Sequence, residues 1–509
     1  MKAAMKATMT LDKAYTIGTI DPRIYGSFIE HLGRAVYSGI YEPDHSSAGS
    51  DGFRRDVIDM VRQLDVPVTR YPGGNFVSGF NWEDSIGPKA ERPHRLDLAW
   101  FTTETNEVGL HEFVEWCKQA NTAPMYAINL GTRGVDAARA VVEYANHPGG
   151  SQWSDLRIRN GAKDPLNIKL WCLGNEMDGP WQIGHKTAAE YGRVASESAK
   201  VMKWVDPSIE LAACGSSSPE MSTFGEWEYS VLNECYNDVD YISLHRYYGN
   251  HSGDTRGFLA RSVDMDRFIK TVASICDTVQ GVKRSKKVLN LSFDEWNVWY
   301  HSSAQDKEIY KRDKWGRALP LLEDVYNMED ALLVGSMLIT LLRNADRVKI
   351  ACMAQLVNVI APIMTRKGGG VWAQTIYWPL QQASAFGRGQ SLRAIVDSPL
   401  YDCKDIEAVP ELDATATLAD DGSLTIFAVN RSLTEDIQLT VDLRGFGVYT
   451  NATLSVLTHD DLQAVNTESQ PDTVKPREVP VGKPDGSIFE VTIPRQSWSV
   501  ARLSNSAKD

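Results

Sequence analysis

Apolar and polar positions along the first three quarters of the chain follow two alternating rhythms. Short, nearly unbroken apolar runs give way to longer stretches in which apolar residues recur at three- and four-residue spacing, the repeat of βα units around a parallel sheet. Eight runs read as strands: IYGSFIE (24–30), VPVTRY (66–71), APMYAINL (123–130), IKLWCLGNE (168–176), IELAACG (209–215), DYISLHRY (240–247), VLNLSFDE (288–295) and VKIACMAQ (348–355). Strands covered on both faces require such continuous apolar character. FRRDVIDMVRQL, LHEFVEWCKQA, AAEYGRVASESAKVMKWV and VDMDRFIKTVASICDTV carry the helical spacing and read as outer helices. Eight pairs over about 360 residues predict an α/β fold of the (β/α)₈ barrel type with enlarged loops. A doubly wound dinucleotide fold fits less well, because no G-x-G-x-x-G follows the first strand and GGNFVSG after the second has a different spacing.

Beyond the barrel the rhythm shifts to short alternating segments between polar turns, as in ATATLADDGSLTIFAVNRS, DIQLTVDLRGFG, ATLSVLTHD and IFEVTIPRQSWSVARL. This pattern predicts an all-β sandwich. The expected division is a catalytic barrel over residues 18–387 and a sandwich over 388–509, with residues 3–17 adding a strand at its edge. TESQPDTVKPREVPVGKPDG, rich in Pro and charge, is expected to be an exposed loop.

Composition narrows the function. Lys plus Arg number 53 against 66 Asp plus Glu, a net charge of −13 that argues against a surface tracking nucleic-acid phosphates. The longest nearly uncharged apolar run, ALLVGSMLITLL (331–342), ends at Arg343 and falls short of the roughly 18 residues a bilayer span needs. MKAAMKATMTLDKAY lacks the apolar core of a secretory signal, so a cytoplasmic location with no membrane partner is expected. The seven cysteines are scattered without a C-x-x-C pair, which suits free thiols in a reducing compartment. Neither H-E-x-x-H, G-x-x-x-x-G-K-[ST] nor G-x-S-x-G occurs, so no metal site, phosphate loop or serine nucleophile is expected.

In a barrel of this type, reactive side chains close the strands at their C-terminal ends. The fourth strand runs into Asn175 and Glu176, and the seventh ends at Glu295. Two carboxylates across one barrel mouth are the equipment of glycoside hydrolysis, provided their environments make them titrate differently. Trp171, Trp181, Trp296, Trp299, Tyr300, Phe80 and Trp82 stand near these ends in sequence and suit either sugar stacking or core packing. The two-residue strand period sets His245 and Tyr247 on one face and Arg246 on the other. Tyr247 is then placed to donate to a nucleophilic carboxylate, and Arg70 to favour its charge. Gly73 and Gly74 in PGGN allow close backbone approach to a ligand. Glu30 and Gln355, closing the first and eighth strands, either bind substrate hydroxyls or link neighbouring loops.

Taken together, these strand ends resemble glycoside hydrolase family 51, the α-L-arabinofuranosidases, in GSFIEHLGRAVYSGIYEP, TRYPGGNFVSGFNWEDSIGP, WCLGNEMDGPWQIGH and FDEWNVWY. The resemblance covers the whole chain. It implies a barrel joined to a jelly-roll sandwich and a retaining, exo-acting α-L-arabinofuranosidase. Residue by residue, Glu176 matches the acid/base and Glu295 the nucleophile. Glu30, Gly74, Asn75, Asn175, Tyr247 and Gln355 match positions around the bound sugar. Trp299 matches a recognition residue and Trp100 one at the entrance, while Arg70 and His245 match supports of the nucleophile. The resemblance further implies a small oligosaccharide substrate, no cofactor or metal, and a homo-oligomer, a hexamer. Competing expectations are an endo-acting β-1,4-glucanase or a β-xylosidase on the same scaffold, where the pocket rim sets the sugar, and a non-catalytic glycan-binding barrel.

Overall fold

The computed structural model describes residues 5–505. Residues 3 and 4 of the expected amino-terminal strand and 506–509 of the expected sandwich lie outside the described residues. All eight apolar runs are strands: Gly26–Phe28 (β1), Val68–Tyr71 (β2), Ala123–Ala127 (β3), Leu170–Leu173 (β4), Glu210–Ala213 (β5), Tyr241–Tyr248 (β6), Asn290–Val298 (β7) and Val348–Ala354 (β8). They close into a barrel in chain order, each parallel to both neighbours. Their C-terminal ends therefore share one face, which is how residues far apart in sequence meet at a single mouth.

The four amphipathic stretches are helices, at Arg55–Leu64, Leu110–Ala120, Ala188–Val205 and Arg261–Lys283. Local signals set their ends. Thr187 accepts from the Glu190 amide while the Glu190 carboxylate accepts from the Thr187 amide at 2.9 Å, a reciprocal N-terminal cap. Asn121, at φ 58°, stops Leu110–Ala120 in the left-handed conformation. The run ALLVGSMLITLL lies in the helix Met328–Arg343, where every residue from Met328 to Leu342 is buried. It packs between the barrel wall at β7 and strands of the C-terminal domain, so its all-round apolar character reflects enclosure by protein. Among the described residues, no helix is long and apolar enough to cross a membrane. All seven cysteines are free thiols.

The C-terminal strands form two sheets around a shared core. One orders Ile395–Asp397, Met5–Asp12, Ile437–Arg444 and Ile488–Ile493. The other has seven strands, beginning with Thr16–Thr19 and including Leu412–Leu418, Leu424–Asn430, Ser497–Ser504 and Asn451–Thr458. Met9, Leu439 and Phe489 of the first meet Ala416, Ile426 and Leu454 of the second. The amino-terminal segment, expected at an edge, contributes two strands instead. Met5–Asp12 is interior, running parallel to Ile437–Arg444, and Thr16–Thr19 borders the other sheet. The Pro-rich loop is not wholly irregular either. Arg477–Val479 pairs with Asn451–Thr458, and Asn466 exchanges two hydrogen bonds with the backbone of buried Val474.

Barrel and sandwich are tied through buried charge. Asp413 accepts from Arg431 and Arg343 and also from Ser262, joining two barrel helices to the strand Leu412–Leu418. Gly335 lets the central helix approach Trp498, whose ring lies 2.6 Å from where a Cβ would stand.

Candidate active site

At the end of β4 the chain turns sharply. Gly174 has φ 89° and Glu176 φ 43°, a left-handed conformation that a glutamate adopts only where its surroundings hold it. Two side chains hold this one. Glu176 Oε1 lies 2.9 Å from His245 Nδ1, and Oε2 accepts from Trp181 Nε1 at 2.8 Å.

Glu295 comes from β7, paired directly with His245 of β6. Arg70 Nη1 donates to Glu295 Oε1 at 2.6 Å and the Tyr247 hydroxyl to Oε2 at 2.8 Å. Arg70 is itself buried, stacked 4.7 Å over Phe28, with its other amino group on Asn175 Oδ1 at 2.6 Å. Both Glu295 oxygens thus face cationic or hydroxyl donors. One oxygen of Glu176, one of Glu295 and a ring nitrogen of His245 all lie within 4.8 Å of one another.

A cavity of about 410 Å³ opens over this pair, within the ordinary range of roughly 300–1,000 Å³ for small-molecule sites. Glu30, Gly74, Asn75, Tyr247 and Gln355 line its floor and walls, with Trp100, Trp181 and Trp299 among the aromatic lining. Asn175 stands behind this lining, 1% exposed, its amide bridging Arg70 and Asn75. Arg70 and His245 are likewise buried beneath the surface that the cavity presents.

Glu30 does both things expected of it. It borders the cavity, and it also links loops, accepting from the Phe76 amide at 2.9 Å, Trp100 Nε1 at 2.8 Å and Gln355 Nε2 at 3.3 Å. Burial pushes its carboxyl up to about 8; the Phe76 and Trp100 donors pull it down and Glu295 adds to the rise. His245 moves the other way from a buried base. Burial alone would depress it, but Glu295, Asp294 and Glu176 raise it to about 10.

Glu176, His245 and Glu295 are the one group among the described residues with the spacing to hold an ion. Their carboxylate oxygens have Arg70, Tyr247 and Trp181 as donors.

The aromatic residues divide. Trp181 and Trp299, 52% and 37% exposed, stand at the rim, whereas Trp171 and Trp296 are wholly enclosed in the barrel core. Phe80 and Trp82 are buried too, Trp82 against Tyr144 and Trp153. Sequence reasoning missed Asp294, whose Oδ1 lies 2.9 Å from His245 Nε2, and the apolar lining residues Leu32, Leu322 and Ile360. Asp294 adjoins Glu295, so strict alternation sends it to the opposite face. An extra residue in β7 defeats that rule, because the four residues Ser292 to Glu295 oppose the three from Ser243 to His245, and the register against β8 slips at the same place.

Gly74 gives a direct test of the floor. A Cβ there would stand 2.4 Å from Glu30 Oε2. Gly74→Ala is expected to displace Glu30 and lower kcat/KM for 4-nitrophenyl α-L-arabinofuranoside by about 10- to 100-fold, the scale of an ångström-level misplacement. Unchanged kinetics would show that Glu30 has room to move without consequence.

A parallel eightfold barrel with two buried glutamates at its mouth, one clamped by arginine and tyrosine, defines a glycoside hydrolase. Residues 60–261 match the α-L-arabinofuranosidase 1 domain and residues 294–497 the α-L-arabinofuranosidase C-terminal domain. The chain is 58% identical over 503 residues to the intracellular exo-α-(1→5)-L-arabinofuranosidase 1 of Bacillus subtilis, covering 98% of this chain and 99% of that one. It is 59% identical to the intracellular exo-α-(1→5)-L-arabinofuranosidase of Halalkalibacterium halodurans, with the same coverage. Among solved structures, a family 51 α-L-arabinofuranosidase from Bifidobacterium longum superposes with a TM-score of 0.93 at 42% identity, covering 98% of this chain and all of that one. The α-L-arabinofuranosidase of Thermotoga maritima in complex with arabinose gives 0.88 at 34%, covering 98% and 99%. The chain belongs to glycoside hydrolase family 51, the α-L-arabinofuranosidases.

Proposed function

We propose that the protein removes terminal, non-reducing α-L-arabinofuranosyl residues from short arabino-oligosaccharides by double displacement, with Glu295 as nucleophile and Glu176 as acid/base. The carrying observation is the unlike environment of two carboxylates within 4.8 Å of each other. Glu295 accepts from Arg70 and Tyr247, whereas Glu176 turns one oxygen to His245 and the other to Trp181 on the cavity wall. Retaining enzymes set their carboxyl groups about 5–5.5 Å apart, whereas inverting ones need about 6.5–9.5 Å to admit a water.

Glu295 attacks the anomeric carbon while Glu176 protonates the departing glycosidic oxygen. Glu176 then deprotonates the water that releases arabinose, and configuration is retained. Glu30, Asn75 and Gln355 are placed to hold the ring hydroxyls, and Trp181 and Trp299 to receive the leaving sugar at the rim. Catalysis falls to the barrel, residues 18–387, and the sandwich over 388–509 supports it. Four relatives at 52–59% identity carry the name exo-α-(1→5)-L-arabinofuranosidase and one at 44% the name exo-α-(1→6)-L-arabinofuranosidase, which favours the (1→5) linkage here. The same four are named intracellular, which supports a reaction inside the cell. The family resemblance extends the proposal to a homo-oligomer, a hexamer.

Release of 4-nitrophenol from the α-L-arabinofuranoside, beside the β-D-xylopyranoside and β-D-glucopyranoside, tests the sugar. The arabinofuranoside is expected to dominate, and (1→5)-linked arabinobiose to be cut faster than its (1→6) isomer. Preference for the xyloside or glucoside would overturn the substrate assignment, and preference for the (1→6) isomer would overturn the linkage.

A further inference from the structure

The double displacement as written makes no use of Asp294, yet this aspartate is 1% exposed and reaches the acid/base through a single imidazole. His245 Nε2 lies 2.9 Å from Asp294 Oδ1. Its Nδ1 lies 2.9 Å from Glu176 Oε1 and 3.6 Å from Glu295 Oε2. A carboxylate only accepts, so a nitrogen held between carboxylate oxygens must carry a proton. The ring therefore donates from both nitrogens. Arg70 gives its two amino groups to Glu295 and Asn175, while its charge also acts on Asp294 from close by. Asp294 Oδ2 takes the Ser292 hydroxyl at 3.2 Å, with the Cys172 thiol 3.9 Å away.

This geometry makes the two oxygens of Glu176 unequal. Oε1 is turned to His245, and Oε2 accepts at 2.8 Å from Trp181, whose side chain lines the cavity together with Glu176. We propose that Asp294 is a positioning residue for the acid/base: by holding His245 as a double donor, it keeps Oε1 an acceptor and puts the exchanged proton on Oε2. The proposal rests on the reading of Glu176 as acid/base. In the first step the Oε2 proton passes to the glycosidic oxygen as the bond from that oxygen to the anomeric carbon breaks and the bond to Glu295 forms. In the second, Oε2 takes a proton from water as the water oxygen bonds to the anomeric carbon and Glu295 leaves. His245 keeps both protons throughout.

The charged groups around His245 and Asp294 come from several strands: Asp294 and Glu295 from β7, Arg70 from β2, Glu176 after β4, and Tyr247 beside His245 on β6. Cys172, Cys214 and Cys352 surround Asp294 as well, with thiols that burial pushes up and keeps uncharged. Burial would lower the imidazole, and Glu295, Asp294 and Glu176 raise it to about 10. The stability this charge contributes is complete below about 6.5, the ordinary histidine value, and is lost as pH rises through about 10.

Asp294→Asn removes the anion and keeps the shape. It is expected to lower kcat/KM for arabinobiose, a poor leaving group, by about 10²-fold, and for 4-nitrophenyl α-L-arabinofuranoside by less than about threefold, because only the former needs a full proton transfer. The pH profile for arabinobiose should shift, since Glu176 then faces a differently charged His245, and Asp294→Glu should restore part of both. Equal loss on the two substrates with an unmoved pH profile would reduce Asp294 to a structural role. A measurement on the unaltered enzyme guards against misfolding of the variant. In protein carrying ¹⁵N-histidine, with the His245 signals assigned from a His245→Gln spectrum, both ring nitrogens should be protonated at pH 8, and a neutral ring there would overturn the proposal. If Glu176→Ala shows no dependence on leaving group, the acid/base reading itself fails, a result separate from any Asp294 outcome.

Discussion

Glu295→Ala is expected to lower turnover of activated aryl and natural arabinofuranosides alike by at least about 10⁴-fold, the scale on which loss of a nucleophile acts. Both substrates suffer because each must pass through the same bond to the anomeric carbon, whatever departs from the other side. The carboxylate removed is the one that Arg70 meets at 2.6 Å and Tyr247 at 2.8 Å. Azide should enter the vacated space and restore turnover of the aryl substrate, giving β-L-arabinofuranosyl azide, the inverted product, identified by proton NMR. Because Arg70 is buried and would lose its charge partner, the variant is expected to unfold more readily, by about 3–5 kcal/mol if no ion replaces the carboxylate. Glu295→Gln keeps the volume and one acceptor oxygen for Arg70, giving up only the acceptor that Tyr247 uses, and serves as the companion variant. Undiminished activity in a folded Glu295→Ala protein would remove this residue from the mechanism.

Glu176→Ala is expected to separate substrates by leaving group. For arabinobiose, whose departing alkoxide needs a proton, kcat/KM should fall by about 10²- to 10⁴-fold; for an activated aryl arabinofuranoside it should change little. Deglycosylation also loses its base, so the aryl substrate should show a rapid burst of phenol followed by slow turnover as glycosyl-enzyme accumulates. Azide attacks that intermediate without needing a base, and its product should retain the α configuration, opposite to that from Glu295→Ala. The two products together identify the two roles. A uniform loss across leaving groups would withdraw the acid/base assignment.

Much of the architecture was legible because its signals are local. Each barrel strand announced itself as an apolar run, and the helices Leu110–Ala120 and Ala188–Val205 match the periodic stretches residue for residue. Glu176, Glu295, Glu30 and Gln355 were legible as the polar residues closing such runs, since strand polarity alone sends them to one mouth. Local signals were weaker in the amino-terminal segment. Its alternation predicted a strand, but nothing in Met5–Asp12 says that it lies parallel to Ile437–Arg444 inside a sheet, because a partner more than 400 residues away sets that position.

The site shows the same boundary more sharply. Trp171, Trp181, Trp296 and Trp299 look alike in sequence, yet two are enclosed and two reach the rim. Asn175 precedes Glu176 but turns its amide into the Arg70 network behind the cavity. Asp294 was hidden by the extra residue in β7, which exists only relative to the pairing with β6 and β8. By itself, then, the chain determined its strands, its helices and the carboxylates that end its strands, since backbone propensity and apolar period are properties of neighbouring residues. Closure of the barrel decided which carboxylate meets Arg70 and Tyr247, which indoles border the cavity and which aspartate faces His245. Those depend on register and side-chain direction across strands that are distant in sequence, and no local pattern encodes them.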